Sequence, residues 1–209
     1  MEAAMKGLDE LKPKDGKKTL KVRFANITKD NLGQFRRLNL SIFPVRYPDK
    51  FYRDILKGDC DNELVRLAYH SDMLVGAVAG RLEDSAGNVL QPDTKKGKPA
   101  KNTDPGNPKR LYIMTLGVLQ PYRGMGVASQ LLQHLVHYVK SCTAVNAIYL
   151  HVQLGNQVAL DFYSSFQFKV VDTLKGYYKR IEPADCYIVE RKFTDAERTI
   201  EDEKTEEKS

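Results

Sequence analysis

A tyrosine and a histidine stand on two separate apolar segments of the chain, and together they could transfer a proton. Tyr112 lies in the run Arg110–Val118 and His151 in the run Ala144–Val152, and both runs have the composition of buried strands. If the two strands are neighbours, both side chains can point to the same face. An imidazole titrates near physiological pH and could take a proton through an ordered water that the tyrosine holds. From the pattern alone, a core histidine bonded to the backbone is the more common case, and Tyr112 could simply pack in its strand.

A glycine turn follows the first of these strands and could bind phosphate. The strand ends at Pro121, and after the turn Arg123–Ala128 apolar residues recur at helical spacing as far as Val139. The first N–H groups of a helix lack internal partners and the helix dipole makes that end positive, so glycines that admit a phosphate create an anion site. A tight turn without a ligand fits the spacing equally well. The Rossmann and P-loop motifs are excluded, because Ser129 replaces the third Rossmann glycine and the turn has no Gly-Lys-Ser/Thr triplet.

The elements that must position these residues follow from periodicity and turn residues. In chain order the sequence predicts β, α, α, β, β, β, α, β, α, β, β, which is an α+β domain with one mixed central sheet flanked by helices. The first strand is predicted at Thr19–Ala25, and Thr28–Asn31 are expected to cap the first helix. Asn156 is expected to cap the last helix, whose apolar stripe consists of Val158, Ala159, Phe162, Tyr163 and Phe166.

Composition divides the chain into one domain with polar ends. Residues 1–18 and 195–209 are charged and poor in apolar residues, which predicts a disordered N-terminal extension and a charged disordered tail. The domain itself is predicted at 19–194. Within it, residues 83–109 are rich in Gly, Pro, Lys and Asn, which indicates a flexible loop insertion.

The composition also excludes several classes of protein. Hydrophobic residues make up 42% and charged residues 29%, as is ordinary for a soluble globular protein. No apolar run approaches a membrane span, so we expect no membrane contact and a location in the cytoplasm, or in the cytoplasm and nucleus. Neither the cysteines nor the histidines have the spacing of metal ligands, so no metal is expected. The net charge of +6 suits an anionic ligand or work near a ribosome, although loop and tail lysines could account for much of it.

Two loops concentrate aromatic residues and could wall a substrate pocket. The first, Phe43–Tyr47, is stiffened by Pro44, and the second carries Tyr177 and Tyr178 after Gly176. From the pattern alone, packing against the core is the more frequent reason for the first loop. For the second loop, packing and substrate binding fit equally well.

Several motifs resemble the GNAT family of acetyltransferases. Arg123-x-x-Gly126-x-Ala128 is similar to the family's acetyl-CoA motif, Q/R-x-x-G-x-G/A. Four further motifs occur in the order found in the catalytic subunits of NatE-type N-terminal acetyltransferases, and the resemblance covers roughly Lys21 to Lys192 apart from the insertion. These four motifs are Phe43-Pro44-Val45-x-Tyr47, Leu111–Leu116, Tyr149–Gln153 and Tyr177–Asp185.

The resemblance implies a GNAT fold with splayed central strands and acetyl-CoA as the cosubstrate. The implied activity is acetylation of the α-amino group of Met-initiated N-termini that have an apolar second residue. Tyr112 and His151 are then the catalytic pair, and Tyr163 lies near the sulfur to protonate the leaving thiolate. The implied partners are the NatA auxiliary and catalytic subunits and the ribosome. The alternatives are a lysine N-ε-acetyltransferase of the same fold and a catalytically weak CoA-binding subunit of the NatA assembly.

The remaining site residues are predicted from the turn, the strand before it and the two aromatic loops. Backbone N–H groups at 116–118 are expected to stabilise the developing oxyanion, where Gly117 would ease a bulge. Packing explains Gly117 and Tyr163 equally well, Asn156 could act only as a cap, and Arg123 could be solvated. The expected cofactor-binding residues are Leu116, Gly117, Val118, Arg123, Gly124, Met125, Gly126, Val127, Ala128 and Asn156. The expected substrate-binding residues are Phe43, Pro44, Val45, Tyr47, Tyr112, Met114, Tyr177, Tyr178 and Ile181.

Overall fold

A computed structural model of the chain describes residues 19–56, 62–90, 109–195 and 197. The order of elements within these ranges is the predicted one. The helices are α1 Leu32–Ile42, α2 Asp49–Leu56, α3 Val127–Ser141 and α4 Gln157–Ser165. The strands are β1 Arg23–Asn26, β2 Val65–His70, β3 Met73–Glu83, β4 Lys109–Val118, β5 Val145–Gln153, β6 Lys169–Leu174 and β7 Cys186–Lys192. In these ranges no helix has the length and apolar character that crossing a membrane would need.

The strands form one mixed sheet in the order β1-β2-β3-β4-β5-β7-β6. β1 pairs with β2, β2 with β3, β5 with β7 and β6 with β7, all antiparallel, whereas β4 and β5 are parallel. The parallel ladder runs from Lys109 to Tyr112 on β4 and from Val145 to Tyr149 on β5. Both strands continue beyond it, β4 to Val118 and β5 to Gln153.

The fold divides into two compact units. The first contains the described residues up to Gly80 together with Met114–Leu135, and the second contains those of Arg81–Ile113 and of Val136–Ser209. The core of the first unit is built by α1, α2, β2 and the start of β3, with Phe35, Tyr52 and Leu67 almost fully buried. α1 begins where Asn31 bonds back to Thr28: its Oδ1 accepts from the Thr28 N–H at 2.8 Å, and its own N–H donates to Thr28 Oγ1 at 3.4 Å.

The core of the second unit lies on the strands β4, β5 and β7, where Leu111, Ile148 and Val189 are buried. α4 packs its aromatic side toward this core. As predicted, Asn156 caps this helix, because its side-chain oxygen accepts from the Ala159 N–H at 3.1 Å.

Three expectations are corrected by the structure. Val158 is 82% exposed and does not belong to the apolar stripe of α4, because its position faces solvent in the first helical turn. The first strand spans Arg23–Asn26 rather than starting at Thr19, since pairing with β2 begins at Arg23. Glu83, predicted as the first residue of the loop insertion, is the last residue of β3 and is buried. Residues 1–18, 91–108 and 198–209, on which most of the disorder predictions fall, lie outside the described ranges.

Candidate active site

Tyr112 and His151 lie together, as the sequence suggested. Tyr112 is directly opposite Tyr149 in the parallel ladder, and His151 is two residues further along β5, so its side chain points to the same face as that of Tyr149. His151 Nδ1 is 3.0 Å from the Tyr112 hydroxyl oxygen, and the two rings meet edge to face with centroids 5.4 Å apart. The side chains therefore form a hydrogen-bonded pair.

The surroundings of this pair set its protonation. Burial lowers the pKa of His151 below the ordinary histidine value, and the negative charge of Glu83 offsets only part of that effect. Burial raises the pKa of Tyr112 far above the ordinary tyrosine value, and Tyr177 raises it further by its charge and by a hydrogen bond. At neutral pH the imidazole is thus uncharged and able to accept a proton, whereas the phenol keeps its proton.

Tyr177 covers the imidazole, which periodicity and composition did not predict. Its ring stacks on His151 with centroids 4.5 Å apart and an interplanar angle of 20°. The loop is held by the Gly176 N–H, which donates to Asp185 Oδ1, and by the Tyr178 N–H, which donates to the Ala184 carbonyl. Tyr177 remains 40% exposed, so the ring that stacks on the imidazole is also in contact with solvent.

Tyr178 and Ile181, the other predicted substrate residues on this loop, are both partly buried. The Tyr178 ring meets Tyr177 edge-on with centroids 4.9 Å apart. Burial raises the pKa of Tyr178 to about 12, so its hydroxyl is a hydrogen-bond donor at neutral pH. Ile181 is half-buried. The peptide-binding role of these residues stays a prediction.

Tyr163 and Asn156 belong to α4. The Tyr163 ring packs against Phe162 and Phe168, with centroids 5.1 and 5.5 Å away, and burial raises the pKa of its phenol. Asn156 uses its side-chain oxygen to cap the helix. These contacts match the packing and capping alternatives, and the expected roles of both residues at the cosubstrate remain predictions.

The glycine turn has the backbone geometry of a phosphate cradle. Gly124 and Gly126 both have φ near +75°, a left-handed conformation that side chains disfavour, and α3 begins directly after them at Val127. A Cβ on Gly126 would lie 3.2 Å from the Thr19 side chain, a close contact that adds to the unfavourable backbone conformation. The N–H groups at the start of a helix lack intrahelical partners and suit an anion such as a diphosphate. The expected cofactor-binding role of the turn residues, including Met125 and Ala128, stays a prediction.

Arg123 links this turn to the end of β4. Its Nε donates to the Val118 carbonyl at 3.1 Å, and its own backbone N–H donates to the Gln120 carbonyl at 3.2 Å. The side chain thus fixes the turn relative to the strand. The expected contact of the rest of the guanidinium with the cosubstrate stays a prediction.

Gly117 allows the first aromatic loop to pack on β4. A Cβ at Gly117 would lie 2.8 Å from Ile42 Cγ2 and 3.1 Å from Phe43 Cζ. The close approach favours the packing explanation of this glycine. The expected oxyanion role of the Leu116–Val118 backbone stays a prediction.

The loop that Gly117 accommodates is braced by its own aromatic rings. Phe43 meets Tyr47 edge-on at 5.9 Å, and Tyr47 stacks on Phe51 of α2 at 4.7 Å. Pro44 is exposed and Val45 half-buried, while Met114 on β4 packs against the core of the same unit. The ring contacts hold the loop against α2, and Pro44 adds exposed apolar surface.

The sequence patterns missed a buried group next to the Tyr112–His151 pair. Glu83 is 2% exposed and is hydrogen-bonded by Arg81 and by the Tyr149 hydroxyl. The only sequence signal was an acidic residue at the end of a long apolar run, which a loop boundary explains equally well. In the described ranges, no three His, Cys, Asp or Glu side chains are grouped to hold a metal ion.

Comparison with known proteins agrees with this geometry. Residues 32–168 match the model of the acetyltransferase (GNAT) family. N-alpha-acetyltransferase 50 of Danio rerio is 41% identical over 171 residues, covering 82% of this chain and 88% of its own. The probable N-acetyltransferase san of Drosophila melanogaster is 39% identical over 170 residues, covering 81% and 80%. The structure of Arabidopsis thaliana Naa50 in complex with the bisubstrate analogue CoA-Ac-MVNAL is 41% identical, covers 82% of this chain and 99% of its own, and has a TM-score of 0.68. The chain therefore belongs to the GNAT family of acetyltransferases.

Proposed function

We propose that this chain is an N-terminal α-acetyltransferase that transfers the acetyl group of acetyl-CoA to Met-initiated N-termini with an apolar second residue. The observation that carries the proposal is the uncharged His151 imidazole, hydrogen-bonded to Tyr112 in a chain of this family. The similarity to N-alpha-acetyltransferase 50 and to the Naa50 complex with a CoA-linked peptide supports the choice of substrate.

The proton chemistry of the pair suits an α-amino group. An N-terminal amine has an ordinary pKa near ~8, compared with ~10.4 for lysine, so a weak base at neutral pH is sufficient. In the proposed tautomer, His151 Nδ1–H donates to the Tyr112 hydroxyl oxygen, so Nε2 carries the lone pair and takes the proton, directly or through an ordered water. Tyr112 keeps its own proton and orients the imidazole and that water.

The cosubstrate is assigned to the glycine turn. Acetyl-CoA supplies an acetyl group activated as a thioester. The N–H groups at the start of α3 would bind its diphosphate, and those of Leu116–Val118 would polarise the acetyl carbonyl. Arg123 would keep the turn in place through its bond to Val118.

Peptide recognition is assigned to the aromatic loops at Phe43–Tyr47 and Tyr177–Ile181. Apolar and aromatic walls suit the flexible side chain of methionine. Tyrosine hydroxyls that remain protonated at neutral pH can bond the peptide backbone, which orients a chain end without reading much sequence.

We also propose that the chain works with the NatA auxiliary and catalytic subunits at the ribosome, in the cytoplasm or in the cytoplasm and nucleus. The resemblance of its motifs to NatE catalytic subunits supports this assignment. Its net charge of +6 is compatible with a location near ribosomal RNA.

Initial rates on three peptides test the proposed activity. The first begins with Met-Leu, the second is the same peptide with a blocked N-terminus and one internal lysine, and the third is blocked without lysine. We expect acetylation of the first alone, located at the α-amine by mass spectrometry. Faster turnover of the lysine peptide would support the lysine acetyltransferase alternative, and acetyl-CoA binding without any turnover would support a CoA-binding subunit.

A further inference from the structure

A buried carboxylate is connected to the Tyr112–His151 pair through two neighbours. Glu83 at the end of β3 is 2% exposed. Its Oε1 accepts two hydrogen bonds from Arg81, from Nε at 2.7 Å and from Nη2 at 2.6 Å, and its Oε2 accepts one from the Tyr149 hydroxyl. Burying a charge is costly unless it is paired and hydrogen-bonded, and these bonds meet that condition.

Both neighbours of Glu83 also contact the Tyr112 ring. The guanidinium carbon of Arg81 lies 5.1 Å from the centre of that ring, within the range of a cation–π contact. The Tyr149 ring lies 5.0 Å from it, and the Arg110 guanidinium lies 4.6 Å from the centre of the Tyr149 ring. Each carboxylate oxygen of Glu83 thus fixes one group that packs against Tyr112.

From these contacts we propose that Glu83 is a positioning residue: by holding Arg81 and Tyr149 against the Tyr112 ring, it sets the hydrogen bond between Tyr112 and His151. The inference rests on the proposed function, in which this pair handles the proton. The Arg81 side chain is 34% exposed, and without the carboxylate it would lose the two bonds from Glu83 Oε1 that hold it beside the Tyr112 ring. The Tyr112 hydroxyl would then no longer be held at 3.0 Å from His151 Nδ1.

The charge of Glu83 gives this role a signature that a purely structural role would lack. The titratable or charged groups near the imidazole are Tyr112 on β4, Tyr149 on β5, Tyr177 on its loop, and Arg81 and Glu83 on β3, while Ile188, opposite on β7, is apolar. The negative charge of Glu83 raises the pKa of His151 against the larger effect of burial. Removing that charge therefore lowers the pKa of His151 further.

The variant Glu83→Gln in the full chain tests the proposal with two measurements. The first is the initial rate on a Met-Leu peptide, and the second is the proton NMR titration of His151, assigned by comparison with His151→Asn. We expect kcat to fall about tenfold, because small misplacements of catalytic groups cost rate, while the KM for acetyl-CoA is unchanged. The His151 midpoint is expected to move to lower pH.

Glu197→Gln is the matched control. Glu197 accepts a hydrogen bond from Arg191 at 2.9 Å in the same unit, so the variant removes a carboxylate from a comparable Arg–Glu pair. We expect it to leave both kcat and the His151 midpoint unchanged. Equal effects of the two variants would overturn the proposal, because they would reflect a general loss of stability.

Tyr149→Phe keeps the test decisive if Glu83→Gln does not fold. It retains Glu83 and the ring beside Tyr112 but removes the hydrogen bond from the Tyr149 hydroxyl to Glu83. We expect a several-fold lower kcat and an unchanged KM for acetyl-CoA. A kcat equal to that of the wild type would overturn the proposal. If the wild-type chain acetylates no N-terminus, the proposed function fails, and the titration alone then decides the coupling of Glu83 to His151. An unmoved midpoint in folded Glu83→Gln overturns that coupling.

Discussion

Two regions of the molecule are built on opposite principles. The Tyr112–His151 pair depends on side chains, since its proposed chemistry needs an imidazole nitrogen and a phenol, and the ring of Tyr177 stacks on the imidazole. The turn before α3 depends on missing side chains, because Gly124 and Gly126 have left-handed backbones that free N–H groups for an anion. Removing atoms should damage the first region, and adding atoms should damage the second.

The comparison also separates the two expected kinetic effects. Damage to the side-chain region should appear in kcat, because a base acts during acetyl transfer. Damage to the backbone region should appear in the affinity for acetyl-CoA, because we propose that the helix N-terminus binds the unreactive phosphates. Substitutions in each region therefore test whether one region acts in acetyl transfer and the other in acetyl-CoA binding.

The largest expected effect comes from His151→Asn. Loss of the proton acceptor should lower kcat about 10²- to 10⁴-fold, the usual contribution of a general base. The dissociation constant for acetyl-CoA, measured by calorimetry, should stay the same. His137→Asn on the exposed face of α3 is the control and should keep wild-type kinetics. A parallel loss of acetyl-CoA affinity in His151→Asn would contradict the division.

Gly126→Ala should produce the next largest effect, on cosubstrate binding. An alanine at φ +75° costs about 1–2 kcal/mol, so the turn rearranges and acetyl-CoA affinity should fall about tenfold with a smaller change in kcat. Gly87→Ala carries similar backbone strain at φ +86° but lies outside the turn. That control should lower the melting temperature without weakening acetyl-CoA binding. If Gly126→Ala and Gly87→Ala bound acetyl-CoA with equal affinity, the turn would have no role in cosubstrate binding.

Gly117→Ala should have the smallest effect of the three, on the peptide. The added Cβ would lie 2.8 Å from Ile42 Cγ2 and displace the Phe43–Tyr47 loop, at a cost of about 1–3 kcal/mol in stability. We expect a several-fold higher KM for the Met-Leu peptide. The double variant with Ile42→Ala removes the closest contact and leaves the 3.1 Å approach to Phe43 Cζ, so its KM should return toward the wild-type value. Ile42→Val retains Cγ2 and should not rescue. An unchanged KM for the peptide in Gly117→Ala would show that this loop does not take part in peptide recognition.

Periodicity predicted most of the fold. Of the α3 positions read at helical spacing, Leu131, Leu132, Leu135 and Val139 are fully buried and Val136 is partly buried. The order of strands and helices was also recovered, since each strand carries a dense apolar run bounded by turn residues. Local spacing cannot report which neighbour covers a position, and for that reason Val158 was wrongly placed in the α4 stripe.

The candidate site was only partly predictable for a related reason. The Tyr112–His151 contact follows from the strand register, and the glycine spacing marked the turn. The burial of Glu83 could not be read from its sequence context, because a carboxylate beside a polar loop is normally solvated and its partner Tyr149 is distant in sequence. The stacking of Tyr177 on His151 likewise depends on the path of a loop.

The most direct test of the central claim is the pH dependence of kcat/KM for the Met-Leu peptide, set beside the NMR titration of His151. Burial lowers the pKa of this imidazole, so its base form prevails at neutral pH and is lost only as the pH falls below the ordinary histidine range. We predict that log kcat/KM gains one additional unit of slope as the pH falls through the His151 midpoint in the wild type, and that His151→Asn lacks this break. A profile without a break at that midpoint, or one that His151→Asn retains, would contradict the role of His151 as the proton acceptor.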